Sequence, residues 1–155
     1  MRRSFSLLCL AALLVAGGCQ SPSPVPNCNS LACVEIIRHA PMDIARTVSA
    51  VFTEAGYQVA PLPPNNQMML MFEREGSTGE TLAYGDWSGK KPWKRVRIHI
   101  KRVGEEKSRV ECDVYRVLDH GDPRFEEEAK LTSLKRKPYQ ELLDQVKARL
   151  EQPGS

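Results

Sequence analysis

The residues of this chain able to do covalent chemistry are few. Five cysteines stand at positions 9, 19, 28, 33 and 112, and three histidines at 39, 99 and 120. A thiol can be acylated, oxidised, bound to zinc or used as a nucleophile, and its surroundings decide which. Cys28 and Cys33 enclose only Asn-Ser-Leu-Ala, a spacing that allows a local disulfide. As zinc ligands, Cys28, Cys33 and His39 lack a fourth member and the usual spacing. Cys112 sits between Val110 and Val114 in an alternating pattern, the place of a buried free thiol rather than of a Cys–His nucleophilic pair. His99 alternates to the opposite face and reads as a solvated cross-strand partner of Glu111. The run Glu126-Glu127-Glu128 reads as a solvated helix start favoured by the helix dipole. No HExxH, Gly-rich phosphate loop or GxSxG elbow is present. These residues imply no cofactor, no metal and no enzymatic activity.

Cys19 has a different context. Arg2 and Arg3 precede Leu7 to Ala16, ten apolar residues without a charge. That is half of the roughly twenty needed to cross a ~30 Å hydrocarbon core, so the segment reads as a removable export signal. It ends Leu14-Val15-Ala16-Gly17-Gly18-Cys19. This resembles the lipobox of bacterial lipoproteins, with Ala16 where Leu is commonest. The resemblance implies cleavage before Cys19, palmitate-type diacylation of its thiol and, commonly, acylation of the new amine. Two or three acyl chains hold a protein on a membrane far more firmly than one. Gln20 stands where, in Gram-negative lipoproteins, Asp signals inner-membrane retention. The resemblance therefore points to the cell outer membrane, facing the periplasm.

Removing residues 1–18 lowers the basic residues from 22 to 20 against 19 acidic ones, a net charge near +1. Nothing in that balance implies a nucleic-acid partner. About 137 residues remain, enough for one domain with its own core. Residues 19–32 carry the lipid site and a Pro/Ser-rich stalk, in which Pro22, Pro24 and Pro26 hold the chain extended. At ~3.1 Å per residue this stalk reaches roughly 25 Å. The single domain is expected over 33–151, with a tail at 152–155.

The elements of that domain follow from periodicity. Residues 33–39 are rich in β-formers. Pro41 suits the first turn of a helix whose stripe is Ile44, Val48, Val51, Phe52 and Ala55, ended by Gly56. A short strand is expected at 57–60, a third over 67–74 and a fourth returning over 80–87. Residues 93–103 and 108–118 alternate, and one register satisfies both of their faces. It opposes Ile98 with Cys112 and Val96 with Val114, while placing Arg97 across from Asp113 and His99 across from Glu111. The stretch 124–134 favours a short helix through its glutamates. Pro138 then starts a helix with Tyr139, Leu142, Leu143, Val146 and Leu150 on one face. The expected class is α+β: a single curved antiparallel sheet of about five or six strands, with a long N-terminal and a C-terminal helix on one face.

This element order resembles the helix-grip domains, including those of the third lipoprotein of the outer-membrane β-barrel assembly machine. The resemblance covers about residues 33–151 and is one of order alone, so it assigns no functional residue. Two segments could meet a partner. Met68-Met69-Leu70-Met71-Phe72 is apolar on both faces, which suits either a strand covered on both sides or an adaptable apolar surface around Met69 and Met71. Trp87 and Trp93 flank Lys90 and Lys91, which suits either rings capping the core or an interface anchor. The expected function is a membrane-anchored, non-enzymatic scaffold or assembly accessory that binds an envelope protein. The alternative is a carrier or sensor holding a lipid or another small apolar ligand between sheet and helix, for which a cavity of at least ~300 Å³ would speak.

Overall fold

The computed structural model describes residues 28–62, 69–84 and 90–152. The expected export signal, Cys19, most of the expected stalk, Met68, Trp87 and the end of the tail lie outside the described residues.

The helix α1 (Pro41–Glu54) starts with proline at its first position. It buries Ile44, Val48, Val51 and Phe52. Its end is a Schellman turn: Gly56, at φ +84°, donates to the Thr53 carbonyl, and the next amide, Tyr57 N–H, donates to the Phe52 carbonyl. The apolar contact typical of this motif is present, with the Tyr57 and Phe52 ring centroids 5.6 Å apart.

The strands are β1 (Ala32–Ile37), β2 (Gln58–Val59), β3 (Met69–Glu75), β4 (Trp93–Arg102), β5 (Lys107–Leu118) and β6 (Glu127–Lys130). They form one open antiparallel sheet in the order β1-β5-β4-β3-β2, and β6 also pairs with β5. β1 takes the part of β5 from Lys107 to Cys112, and β6 takes the part from Tyr115 to Leu118. The β4–β5 register is the expected one, with Ile98 opposite Cys112, Val96 opposite Val114, Arg97 opposite Asp113 and His99 opposite Glu111. Val96, Ile98, Val110, Cys112 and Val114 are fully buried in one core with the buried side chains of α1 and of the C-terminal helix α3 (Lys137–Glu151). Both of these helices therefore cover one face of an α+β fold. Phe72 of β3 stacks on Phe52 with centroids 5.1 Å apart.

Two elements differ from expectation. Residues 80–84 do not return as a strand: Thr78–Tyr84 form a helix, α2, and 85–87 lie outside the described residues. The cause is local. Ser77 and Glu80 make a capping box, in which the Ser77 N–H donates to Glu80 Oε2 at 3.0 Å and the Glu80 N–H donates to Ser77 Oγ at 3.4 Å. The short helix over 124–134 is likewise absent. Glu127–Lys130 pair with β5 as β6, and a 3₁₀ turn, η1 (Ser133–Lys135), follows. The glutamates are not a solvated helix start. Glu126 and Glu128 both receive the Arg95 guanidinium from β4, and Glu128 also receives Arg97.

At Cys33 the outer edge of β1 is occupied by a side chain. Gln140 of α3 accepts from the Cys33 N–H at 3.3 Å and donates to the Cys33 carbonyl at 3.0 Å.

Candidate functional site

One end of the sheet gathers the segments that carry the less regular chemistry. Glu75 closes β3, Trp93 opens β4 and Val117 lies near the end of β5, all in one cross-strand row with Glu128 of β6. The connection from α2 to β4 is tied to this end. Lys91 bridges to Glu75 at 3.0 Å, and Lys90 to Asp119 at 2.6 Å. Gly76 permits a close approach there: its N–H donates to the Pro92 carbonyl at 2.7 Å, and an added Cβ would stand 2.6 Å from that oxygen.

The two faces of this end differ. On the face away from α1 and α3, Trp93 stacks on His120 with ring centroids 4.1 Å apart, and the His120 ring nitrogen meets Glu73 at 2.9 Å. Glu73, Glu126 and Glu128 converge on Arg95, whose side chain is 13% exposed. The Arg95 guanidinium, followed by the Gly121 N–H, holds the Glu126 carboxyl below the usual carboxylate range. Arg97 lies over the Tyr115 ring at 4.4 Å from its centroid.

On the helix face a cleft of about 240 Å³ opens between the end of the sheet and the first turn of α3. Its lining includes Lys94, Arg116 and Lys135 beside Leu131, Pro138 and Tyr139. Lys94 is held by Glu80 of α2 at 2.8 Å. Tyr139 is 3% exposed, and burial pushes its hydroxyl above the usual tyrosine range. Sequence reasoning did not single out Arg116, Leu131 or Lys135. The available signal was parity: Lys94 and Arg116 share the inward parity of Val96, Ile98, Ile100, Val110, Cys112 and Val114.

The expected partner residues are dispersed. Met69 is buried, and Met71 is half-buried on the outer face beside Arg97. Lys90 and Lys91 are engaged in ion pairs, and Trp93 is half-buried against His120. The large apolar side chains left most open are others. Leu82 on α2 is 86% exposed, and Leu134 on η1 is 91% exposed.

The cysteines behave as two classes. Cys28 and Cys33 form a disulfide, tying the segment that precedes β1 to the strand itself. Cys112 is a buried free thiol, and burial pushes it far above the usual thiol range, which keeps it from acting as a thiolate. Among the described residues no three metal-ligating side chains converge, and no helix is long and apolar enough to cross a membrane.

No family model matches the chain, and no curated protein matches it. Among solved structures it is similar to a chain of the adenylate sensor from AMP-activated protein kinase in complex with 5-aminoimidazole-4-carboxamide 1-beta-D-ribofuranotide. The two share 15% identity at a TM-score of 0.46, over 73% of this chain and 92% of that one. A likeness of that degree leaves function to be argued from the residues themselves.

Proposed function

We propose that the protein is a lipid-anchored envelope lipoprotein that works without catalysis, by holding a protein partner. Cys19 carries the lipid, the proline-rich stalk lifts a helix-grip-like domain from an outer membrane, and the partner meets the end of the sheet where α2, the turn after β5 and η1 gather. The observation that carries this reading is the exposure of three large apolar side chains on those three separate segments: Leu82 at 86%, Phe125 at 65% and Leu134 at 91%. Single exposed leucines are ordinary on a surface, but three large apolar side chains left this open on segments that follow the same end of the sheet suit an interface. The loop between Trp87 and Trp93 leads into the same end through Lys90 and Lys91.

The carrier reading has less in its favour. Val48, Phe52, Ile98, Val114 and Leu143 fill the space between sheet and helices with no exposure, and the cleft beside α3 is smaller than ~300 Å³ and cationic.

The test is capture of proteins and lipids by the full chain, purified with its anchor in mild detergent. One protein should co-purify, and the Leu82→Asp/Leu134→Asp variant should lose it at least tenfold with an unchanged melting midpoint. Equal capture by the variant, or a bound lipid with no protein, defeats the proposal. The anchor is tested apart from the partner. Cys19→Ser should accumulate as an uncleaved precursor that takes up no palmitate, and normal maturation would refute it.

A further inference from the structure

The strand β6 has a side that no other strand covers. Among the described residues it pairs with β5 alone, and all of its residues are exposed. In an antiparallel ladder, hydrogen-bonded and non-hydrogen-bonded pairs alternate. Just past β6 the Leu131 N–H donates to the Val114 carbonyl at 2.8 Å, so Ala129 with Arg116 and Glu127 with Leu118 are the next bonded pairs. The backbone groups of Glu128 and Lys130 therefore point away from β5, toward the open edge. Cys33 of β1 stands on the same side of β5 with its backbone groups turned outward, and Gln140 takes both of them. Among the described residues no side chain does this for Glu128 or Lys130. The side chains of these two residues carry opposite charges on the face away from the helices, where Lys130 meets Asp113 and Glu128 meets Arg95 and Arg97.

We propose that this open edge takes the β6 of a second copy of the chain, antiparallel, about a two-fold axis at Ala129. In that register Glu128 of each copy lies opposite Lys130 of the other, and each such pair exchanges its backbone N–H and C=O bonds. Ala129 faces its own counterpart as the intervening non-bonded pair, where the strands stand closest and a methyl group fits. Moving the axis one residue either way sets Glu128 against Glu128, or Lys130 against Lys130, and like charges directly opposite weaken a ladder. An axis between two residues would set inward side chains against outward ones. The register at Ala129 satisfies the bonding alternation, the faces and the charges together. It also carries the charged face across the seam, from Arg97 through Glu128 of one copy to Lys130 and Asp113 of the other. The pairing is isologous, so it closes at two copies and leaves nothing to extend. So short a ladder makes a transient dimer rather than an obligate one. It stands apart from the partner reading, because Leu82 and Leu134 lie outside β6.

The test is cysteine cross-linking of the full chain in mild detergent, under an oxidising glutathione buffer. Ala129→Cys puts a thiol on the axis, with its Cβ about 4.5–5.5 Å from its counterpart, and a disulfide-linked dimer should form. Glu127→Cys, on the same face but off the axis, should give at least tenfold less, with the native chain as background. Amide exchange supplies a second measure. Raising the protein concentration roughly a hundredfold should slow exchange at Glu128 and Lys130 at least twofold and leave Ala129, whose N–H already faces β5, unchanged. Ala129→Lys alters an exposed side chain and sets like charges on the axis, so it should abolish this concentration dependence at an unchanged melting midpoint. Equal cross-linking at 127 and 129 would overturn the proposal. So would exchange at Glu128 and Lys130 that ignores concentration.

Discussion

The two faces of β4 and β5 obey the same register and are held together by opposite means. On one face Val96, Ile98, Val110, Cys112 and Val114 pack without exposure under helices drawn from both ends of the domain. On the other, Arg95, Arg97, Glu111 and Asp113 stand over the sheet, and their charges are matched almost entirely by neighbours one strand away or more. Arg97 does not pair with Asp113 across from it but reaches Glu128 on β6, while Asp113 takes Lys130 and the Leu31 N–H. Glu111 takes Lys101 and the Ser30 hydroxyl. Register alone therefore decides which face a residue joins; on the charged face the reach of the side chain decides its partner. The apolar face needs only volume, whereas the charged face needs a particular donor for each acceptor.

The comparison can be broken first on the apolar side. Phe72→Ala removes a ring stacked on Phe52 at the centre of the core, and the expected loss is about 3–5 kcal/mol of unfolding free energy, measured by denaturant melts. A loss below ~1 kcal/mol would mean that the helices do not depend on the sheet for their packing.

The charged side should give less and give it locally. Arg95→Ala leaves Glu73, Glu126 and Glu128 without their common donor in a half-covered site. The cost should fall between that of a surface pair and that of a fully buried one, about 2 kcal/mol, with amide exchange accelerated in 119–130 rather than in β4. Acid supplies a subtler form of the same experiment. The Glu126 carboxyl is held below its ordinary value in the folded state, so its contribution is complete above the unfolded value of about 4.3 and is lost as pH falls through the lower folded value. Between pH 6 and 3 the amides of β6 should lose protection before those of β4, and simultaneous loss would show that β6 is held by the ladder and not by charge.

The smallest effect is expected outside the sheet. Ser77→Ala removes the capping hydroxyl of α2 and should cost about 1 kcal/mol, read as lower helicity confined to 78–84. An unchanged α2 would show that Lys94, through Glu80, is its principal hold.

How far these features were legible follows from how local their causes are. α1 and the β4–β5 pairing are written in periodicity, since a stripe and an alternation each report a single nearby surface. The α2 helix was also legible, because Ser77-Thr78-Gly79-Glu80 is a capping box, a local signal that outweighs the returning strand expected over 80–87. β6 was not. Three glutamates favour a helix start on local grounds, and only the arrival of Arg95 and Arg97, about thirty residues upstream, makes the extended form the better one. The cleft stood halfway. Lys94 and Arg116 interrupt an apolar parity that the sequence displays, but Lys135 joins them only once the chain has folded.

Gln140 has a consequence of another kind. By accepting from and donating to Cys33 with one amide, it behaves as a single residue of a strand that is not there. An incoming chain would have to expel this amide before it could pair at Cys33, so recruitment at that point of β1 begins uphill. For copies meeting often, such a threshold is a form of mutual indifference. The domain can be crowded without templating its neighbours, and its contacts are left to the surfaces that were shaped for them.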